Sequence, residues 1–231
     1  MPDGIGNSLP LLQMFLLRGN QLTGGLKFLT SLSDFKNLVQ VDMSQHKLDG
    51  ILPYSIVNLS MNLQNLYAYE NHIMGIIHPG LGKLTGLIKL VIHQNELTGP
   101  IQYALIRLHG LQLISISSNK ISGSIPLELA QLNNLNILSL KYNELFGPIR
   151  DSLANISMIQ STYLGINNLS LSIRQSLWTL ESFLELDLSV NIVTDSLSPQ
   201  VRILKSHDLF RSIYEPAIRK HISCLGIFKC V

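Results

Sequence analysis

Apolar and polar positions along this chain recur as a block of fixed length. Residues 111–126, LQLISISSNKISGSIP, give the clearest copy, with Leu111, Ile114, Ile116, Asn119, Ile121, Gly123, Ile125 and Pro126 at its fixed places. Asn71, Asn95, Asn119, Asn143, Asn167 and Asn191 follow one another at intervals of 24 residues. A strict period of this length predicts a solenoid, in which each unit buries its apolar side by stacking on its neighbours. Within the unit, Ile114 and Ile116 alternate with Ser115 and Ser117, which predicts a short strand with apolar side chains inward and polar ones outward. The asparagine stands where the chain turns off the strand, and its amide offers both donors and an acceptor to backbone groups that leave the sheet. Gly123 suits a position that excludes a Cβ or needs unusual dihedrals. Pro126 stiffens the exit toward the outer side, and residues 127–134 lead back in a short helical or irregular run.

Eight units fit the template. The first carries Leu9, Leu12, Phe15, Leu17, Asn20 and Leu22, and the second places His46 where the asparagine belongs. Asn20 and His46 are 26 residues apart and His46 and Asn71 are 25 apart, small insertions that fit the outer side of the coil. Unit seven is weaker, with Thr162 at an inner position, and the closing proline survives only at Pro53 and Pro126. Residues 1–8 read as the second half of a further unit. The expected organisation is a repeat domain over 1–200 and a non-repeat tail over 201–231, either a helix covering the last unit or an unordered extension.

Composition agrees with a stack of apolar rungs: 46% of the 231 residues are hydrophobic and 14% are charged, against about 25% charged in ordinary domains. The net charge of +2 is uneven, because the tail holds Arg202, Lys205, Arg211, Arg219, Lys220 and Lys229 against Asp208 and Glu215. These scattered cations make no nucleic-acid patch. No apolar run is long enough to span a bilayer, and the chain as written begins without a signal peptide, so alone it would be cytoplasmic. Cys224 and Cys230 either pair in an oxidising compartment or stay free thiols.

The template L-x-x-L-x-L-x-x-N-x-L-x-G-x-I-P resembles the plant-type leucine-rich repeat, and most of all the ectodomains of leucine-rich-repeat receptor-like kinases. Residues 28–66, from FLTSL to the LPYSIVNLS run and beyond, resemble a stretch of the immune-receptor subgroup. The resemblance implies an α/β fold: a curved, twisted leucine-rich-repeat solenoid with a parallel β-sheet on the concave side and short helices or irregular runs on the convex side. It implies a non-catalytic module at the extracellular face of the plasma membrane that binds a peptide or protein ligand, with a co-receptor, in defence or developmental signalling. The chain departs from that family in lacking a signal peptide, paired-cysteine caps, a membrane span and a kinase. Two other readings follow: a secreted inhibitor resembling polygalacturonase-inhibiting proteins, which needs those caps, and a truncated receptor relic without activity.

Alternation on the strands gives a solvent-facing column on the concave side: Leu16 and Arg18, Asp42 and Ser44, Tyr67 and Tyr69, Val91 and His93, Ser115 and Ser117, Ser139 and Lys141, Tyr163 and Gly165, Asp187 and Ser189. Tyr67, Tyr69 and His93 fall on neighbouring strands, with Glu70 and Gln94 beside them and Lys141 and Tyr142 two units on. Tyrosines supply large contact area at low entropic cost, so these seven residues are the expected ligand contacts. Asn20, Asn71, Asn95, Asn119, Asn143, Asn167 and Asn191 are the expected structural ladder. Asn58, Asn155 and Asn168 begin N-x-S sequons, which matter if the chain enters the secretory route. The seven histidines lack metal-ligand spacing, no nucleophile or nucleotide-loop motif occurs, and neither a cofactor nor an enzyme activity is expected.

Overall fold

The computed structural model describes residues 9–149, 153, 156–171 and 184–193. Each unit contributes two short strands, and the two sets form two separate eight-stranded sheets. The inner sheet is β1 (Met14–Leu16), β3 (Gln40–Asp42), β5 (Asn65–Tyr67), β7 (Lys89–Val91), β9 (Leu113–Ser115), β11 (Ile137–Ser139), β13 (Ser161–Tyr163) and β15 (Glu185–Asp187). Its strands run parallel in chain order, and register places Leu66, Leu90, Ile114, Leu138, Thr162 and Leu186 side by side. The fold is a leucine-rich-repeat solenoid. The rungs form one continuous core: Leu111, Ile114, Ile116, Ile121, Ile125, Leu129 and Leu132 of the fifth unit are all buried. Each such side chain contributes roughly 1.5–3 kcal/mol on leaving water.

The second sheet, on the flank, goes beyond the single sheet expected from the sequence. It comprises β2 (Thr23–Gly25), β4 (Lys47–Ile51), β6 (His72–Ile76), β8 (Glu96–Gly99), β10 (Lys120–Gly123), β12 (Glu144–Pro148), β14 (Asn168–Leu171) and β16 (Ile192–Val193). It too is parallel, with the register stepping two residues per unit, so that Ile51 pairs Met74 and Ile76 pairs Thr98. The template glycine has its reason here. Gly75 has φ +79°, and a Cβ on it would stand 2.8 Å from Cγ2 of Ile51 in the preceding unit.

The outer runs are 3-10 turns at Leu26–Phe28, Tyr54–Asn58, Pro79–Lys83, Tyr103–Arg107 and Leu127–Gln131. The longer first interval, from Asn20 to His46, takes up α1 (Leu29–Leu32), an added helical turn on that side. The residue entering four of these turns is Pro53, His78, Gln102 or Pro126, with φ between −63° and −71° in every case. His78 replaces the proline constraint with a hydrogen bond from Gly80 N–H to its Nδ1.

The asparagines bind adjoining units together. Asn95 Oδ1 accepts from Ile73 N–H at 3.0 Å, while its Nδ2 donates to Ala68 O of the preceding unit at 2.9 Å and lies 3.2 Å from Ile92 O of its own. Asn71, Asn119, Asn143, Asn167 and Asn191 repeat this pattern, their Oδ1 atoms accepting from Leu48, Leu97, Ile121, Leu145 and Leu169. Asn20, in the first unit, is exposed and donates to its own Leu17 O. Immediately before each ladder position the backbone turns left-handed, at Gln45, Glu70, Gln94, Ser118, Tyr142, Ile166 and Val190, with φ from 52° to 60°. That geometry costs a β-branched residue on the order of 1–2 kcal/mol. It persists because the same residues donate to the next unit, as Glu70 N–H does to His93 O.

His46 occupies a ladder place and fills it imperfectly. Its Nδ1 meets Asn20 O, but its buried Nε2 has no partner among the described residues. His46→Asn should therefore raise stability by about 1 kcal/mol, whereas Asn95→Ala, which orphans the Ile73 N–H, should lower it by about 2–4 kcal/mol. Thermal unfolding followed by circular dichroism reads both; equal effects of the two changes would contradict the ladder account.

Candidate functional site

The inner sheet presents its outward residues in columns, and long side chains cross between units. At one end the Arg18 guanidinium lies 5.5 Å from the Tyr69 ring centroid, and its Nε donates to Gln45 Oε1 at 2.9 Å. Gln45 Nε2 in turn donates to Glu70 Oε2 at 3.2 Å. Tyr69 stacks on His93 at 4.7 Å between centroids and 17° between planes. A cation, a phenol and an imidazole thus stand in line across four units. Burial raises the pKa of Tyr67 and Tyr69, the first with help from the Asp42 carboxylate and the second opposed by Arg18. Burial also lowers the His93 pKa below 6.5, against the Gln94 hydrogen bond and the Glu70 charge, which both favour the imidazolium.

At the other end Lys141 Nζ reaches Asp187 at 2.7 Å, crossing the unit that carries Gly165. A Cβ on Gly165 would approach the Asp187 carboxylate to 2.8 Å, so the bare backbone there makes the crossing possible. Asp187 also accepts from Ser189, from the N–H at 3.0 Å and from the hydroxyl at 2.6 Å. The Tyr163 hydroxyl donates to Glu185, and burial with that bond raises its pKa. The Lys141 ammonium lies 5.4 Å from the Tyr142 ring.

Tyr67, Tyr69, Glu70, His93 and Gln94 come together as the sequence placed them, but Lys141 and Tyr142 belong to a separate cluster around Asp187. Glu70, Gln94 and Tyr142 sit on left-handed turns rather than on strands. The solvent-facing column needs correction at five places. Val91, Gly165, Asp187 and Ser189 are buried, and Ser44 is wholly so. Ser44 lies on the unit between those of Arg18 and Tyr69, so the arginine arm passes above it. Sequence reasoning assigned no role to Arg18, Gln45, Tyr163, Glu185 or Asp187. Arg18, Tyr163 and Asp187 were in the column, and a cation facing a small residue in the next unit was the signal available.

Asn58 is exposed at the end of its outer turn, and Asn168 is exposed at the start of β14. Asn155 and the tail over 201–231, with Cys224 and Cys230, lie outside the described residues. Among the described residues, no three His, Cys, Asp or Glu side chains converge to hold a metal. No helix among them is long and apolar enough to cross a membrane.

A family model described as Leucine Rich Repeat matches residues 110–132. The chain is 37% identical over 71 residues to the Arabidopsis thaliana protein named LRR receptor-like serine/threonine-protein kinase GSO2, a match covering 31% of this chain and 6% of that protein. Among solved structures, a TDR receptor superposes with TM-score 0.84 and 28% identity over 90% of this chain and 35% of that one. The Arabidopsis receptor kinase HAESA, solved with the peptide hormone IDA and the co-receptor SERK1, superposes with TM-score 0.79 and 28% identity over 89% of this chain and 34% of that one. The chain therefore spans a small part of its curated relative and about a third of each receptor structure. It resembles plant leucine-rich-repeat receptor kinase ectodomains in sequence over part of its length and in fold over most of it.

One titration follows from the stack. An imidazole that resists protonation when folded binds fewer protons than the unfolded chain does. The fold therefore loses some stability as pH falls from 6.5 through the lowered folded value, and nothing changes above 6.5. The His93 ring resonances, followed by NMR, should titrate with a midpoint below 6.5, and Tyr69→Ala, by uncovering one ring face, should move that midpoint up.

Proposed function

We propose that this leucine-rich-repeat solenoid is a non-catalytic recognition module that binds a peptide or protein ligand on its inner sheet, as the extracellular part of a plant receptor in defence or developmental signalling. The observation that carries the reading is the Arg18–Tyr69–His93 stack beside Tyr67. Aromatic and guanidinium groups held in fixed rotamers on a rigid sheet lose little entropy on binding, and such residues dominate protein interfaces energetically. Support also comes from HAESA, whose ectodomain carries a peptide hormone and a co-receptor. Tyr67, Tyr69, Glu70, His93 and Gln94 form the first contact surface, and Lys141 with Tyr142 a second.

The test is selection of a displayed library of linear peptides on the full chain. Enriched peptides should lose about 30-fold in affinity on Tyr69→Ala, the loss expected of an interfacial hot spot. Absence of any enriched peptide would count against the recognition reading, and enriched peptides indifferent to Tyr69→Ala would remove the stack from it.

Residence at the cell exterior brings a second proposal. Of the two sequon asparagines among the described residues, Asn58 is the better placed for an N-linked glycan, since it is exposed on an outer turn and borders an open outer cavity of about 540 Å³ lined with Ser33, Lys36, Val57 and Met61. The sequon's Ser60 is buried and donates to Lys36 O, so attachment would precede folding of that turn. Secreted from a plant host behind a signal sequence, the chain should lose mass on enzymatic deglycosylation, and Asn58→Gln should lack one such step.

A further inference from the structure

The side of the coil that joins the flanking sheet to the outer turns is built from four matching stretches. They are residues 50–54 GILPY, 75–79 GIIHP, 99–103 GPIQY and 123–127 GSIPL, in units two to five, and none contains Asp, Glu, Lys or Arg. Their counterparts in units one and six, 24–28 GGLKF and 147–151 GPIRD, do. The central leucine or isoleucine of each of the four is buried, and the residues around it face out. Ile51 leans over Gly75 and Ile76 over Gly99, their Cγ2 atoms 2.8 and 2.9 Å from where a Cβ would stand, and Pro100 covers Gly123 in the same way. A second column opens the outer turns: Tyr54, Pro79, Tyr103 and Leu127, all exposed. The Tyr54 ring stands edge-on to His78 of the next unit, 5.5 Å between centroids. The two columns make one continuous uncharged band across four units.

The band is large. Ile51, Tyr54, Ile76, Tyr103 and Leu127 are 66, 70, 48, 64 and 46% exposed. At about 200 Å² for a wholly free side chain of this size, these five leave roughly 500–600 Å² in water. That is already the top of what a monomer commonly leaves bare, about 300–600 Å². With Pro79, Pro100 and a polar border it reaches about 800 Å² per partner, the size of a standard stable interface.

The band also fits itself. A two-fold axis lying across it between units three and four sets unit two against unit five of a second copy, and unit three against unit four. Large side chains then meet smaller ones: Ile51 opposes Ser124, Tyr54 opposes Leu127, and Tyr103 opposes Pro79. On the flank edge His72 opposes Glu96, and at the ends Lys47 and Asp49 meet Lys120, so the border carries both signs. On the outer edge Lys83 and Arg107, at the far ends of their turns, face each other, and their repulsion ends the contact there. Such a contact closes at two copies, because each copy uses up the same surface.

We propose that the uncharged band over units two to five is a self-association surface, on which a second copy of this chain docks antiparallel in a two-fold dimer. The band lies off the inner sheet, so both inner sheets stay open in the dimer. The proposal stands apart from the recognition reading, and either can fail alone.

Sedimentation of the full chain, carrying Asn58→Gln so that no glycan borders the band, tests it. Between about 0.5 and 50 µM protein, the mass should pass from one chain to two and stop there. Tyr103→Lys and Ile51→Lys should each raise the dissociation constant at least 30-fold, since symmetry places every substitution in the contact twice. Tyr103→Phe should retain the dimer. Leu11→Lys, on the exposed end face of the first unit, should leave it unchanged. Equal thermal unfolding shows that the variants fold, and peptides selected on the parent should bind the Tyr103→Lys monomer equally well. A chain that stays single at about 50 µM overturns the proposal. So does assembly beyond two copies, or a dimer lost on Leu11→Lys and kept on Tyr103→Lys, either of which gives the association to the coil's end. A single chain that sediments with phosphatidylcholine vesicles until Tyr103→Lys releases it overturns it too, and gives the band to lipid.

Discussion

The asparagine amide shared between adjoining units is the constraint on which everything else in this fold depends. A coil of short strands must break out of its sheet once per turn, and each break leaves backbone donors and acceptors inside the protein, where an unpaired group costs about 1–3 kcal/mol. One side chain with two donors and one acceptor settles several of these groups at once, and for Asn95 the bonds to Ile73 and Ala68 run to the unit before it while those to Ile92 and His93 stay in its own. The ladder thus supplies both the turn and the coupling between turns. It also fixes the left-handed residue in front of it, because only that conformation swings the amide inward while sending the next N–H forward to the following unit.

Once the ladder and the rungs hold the coil, other template positions are free to drift. His78 and Gln102 stand where Pro53 and Pro126 stand elsewhere, and the backbone keeps the same φ because the turn that follows dictates it. The drift that reads in the sequence as decay leaves the outer turns of units two to five alike. Thr162 is a departure of another kind. It occupies a rung position and is fully buried, and its hydroxyl has no partner among the described residues, so the seventh unit carries a local polar defect.

The solenoid was legible because its signal is periodic: six asparagines at equal spacing admit few other arrangements. The flanking sheet was not legible. Its strands, such as KISG at β10, interleave charges, glycine and one apolar residue, and a segment of that composition reads as loop until a parallel neighbour is present to pair it. Nor could the left-handed turns be read, since Gln, Glu, Ser, Tyr, Ile and Val share no preference for that conformation. The patch around Tyr69 was legible from alternation alone. The burial of Ser44 and Asp187 was not, because it is decided by an arginine and a lysine from other units, and a residue-by-residue rule of in and out takes no account of arms that cross.

Those crossing arms explain why the inner face is uneven. A sheet of identical units would present the same side chain at every step and would grip a ligand equally well in many registers. Here a long cation facing a small residue lets one unit reach past the next: Arg18 over Ser44 to Tyr69, and Lys141 over Gly165 to Asp187. Each crossing ties three units together, one by the Lys141–Asp187 ion pair and the other by the contacts of Arg18 with the Gln45 amide and the Tyr69 ring, and the serine-bearing strands lie between them. Register specificity on a repetitive scaffold then comes from where the repeats differ. The small residues under the arms matter as much as the arms, because a side chain on Gly165 would fill the space the Asp187 carboxylate now occupies. The rungs make the wall, and the exceptions to the repeat decide where along it one stretch of the inner face differs from the next.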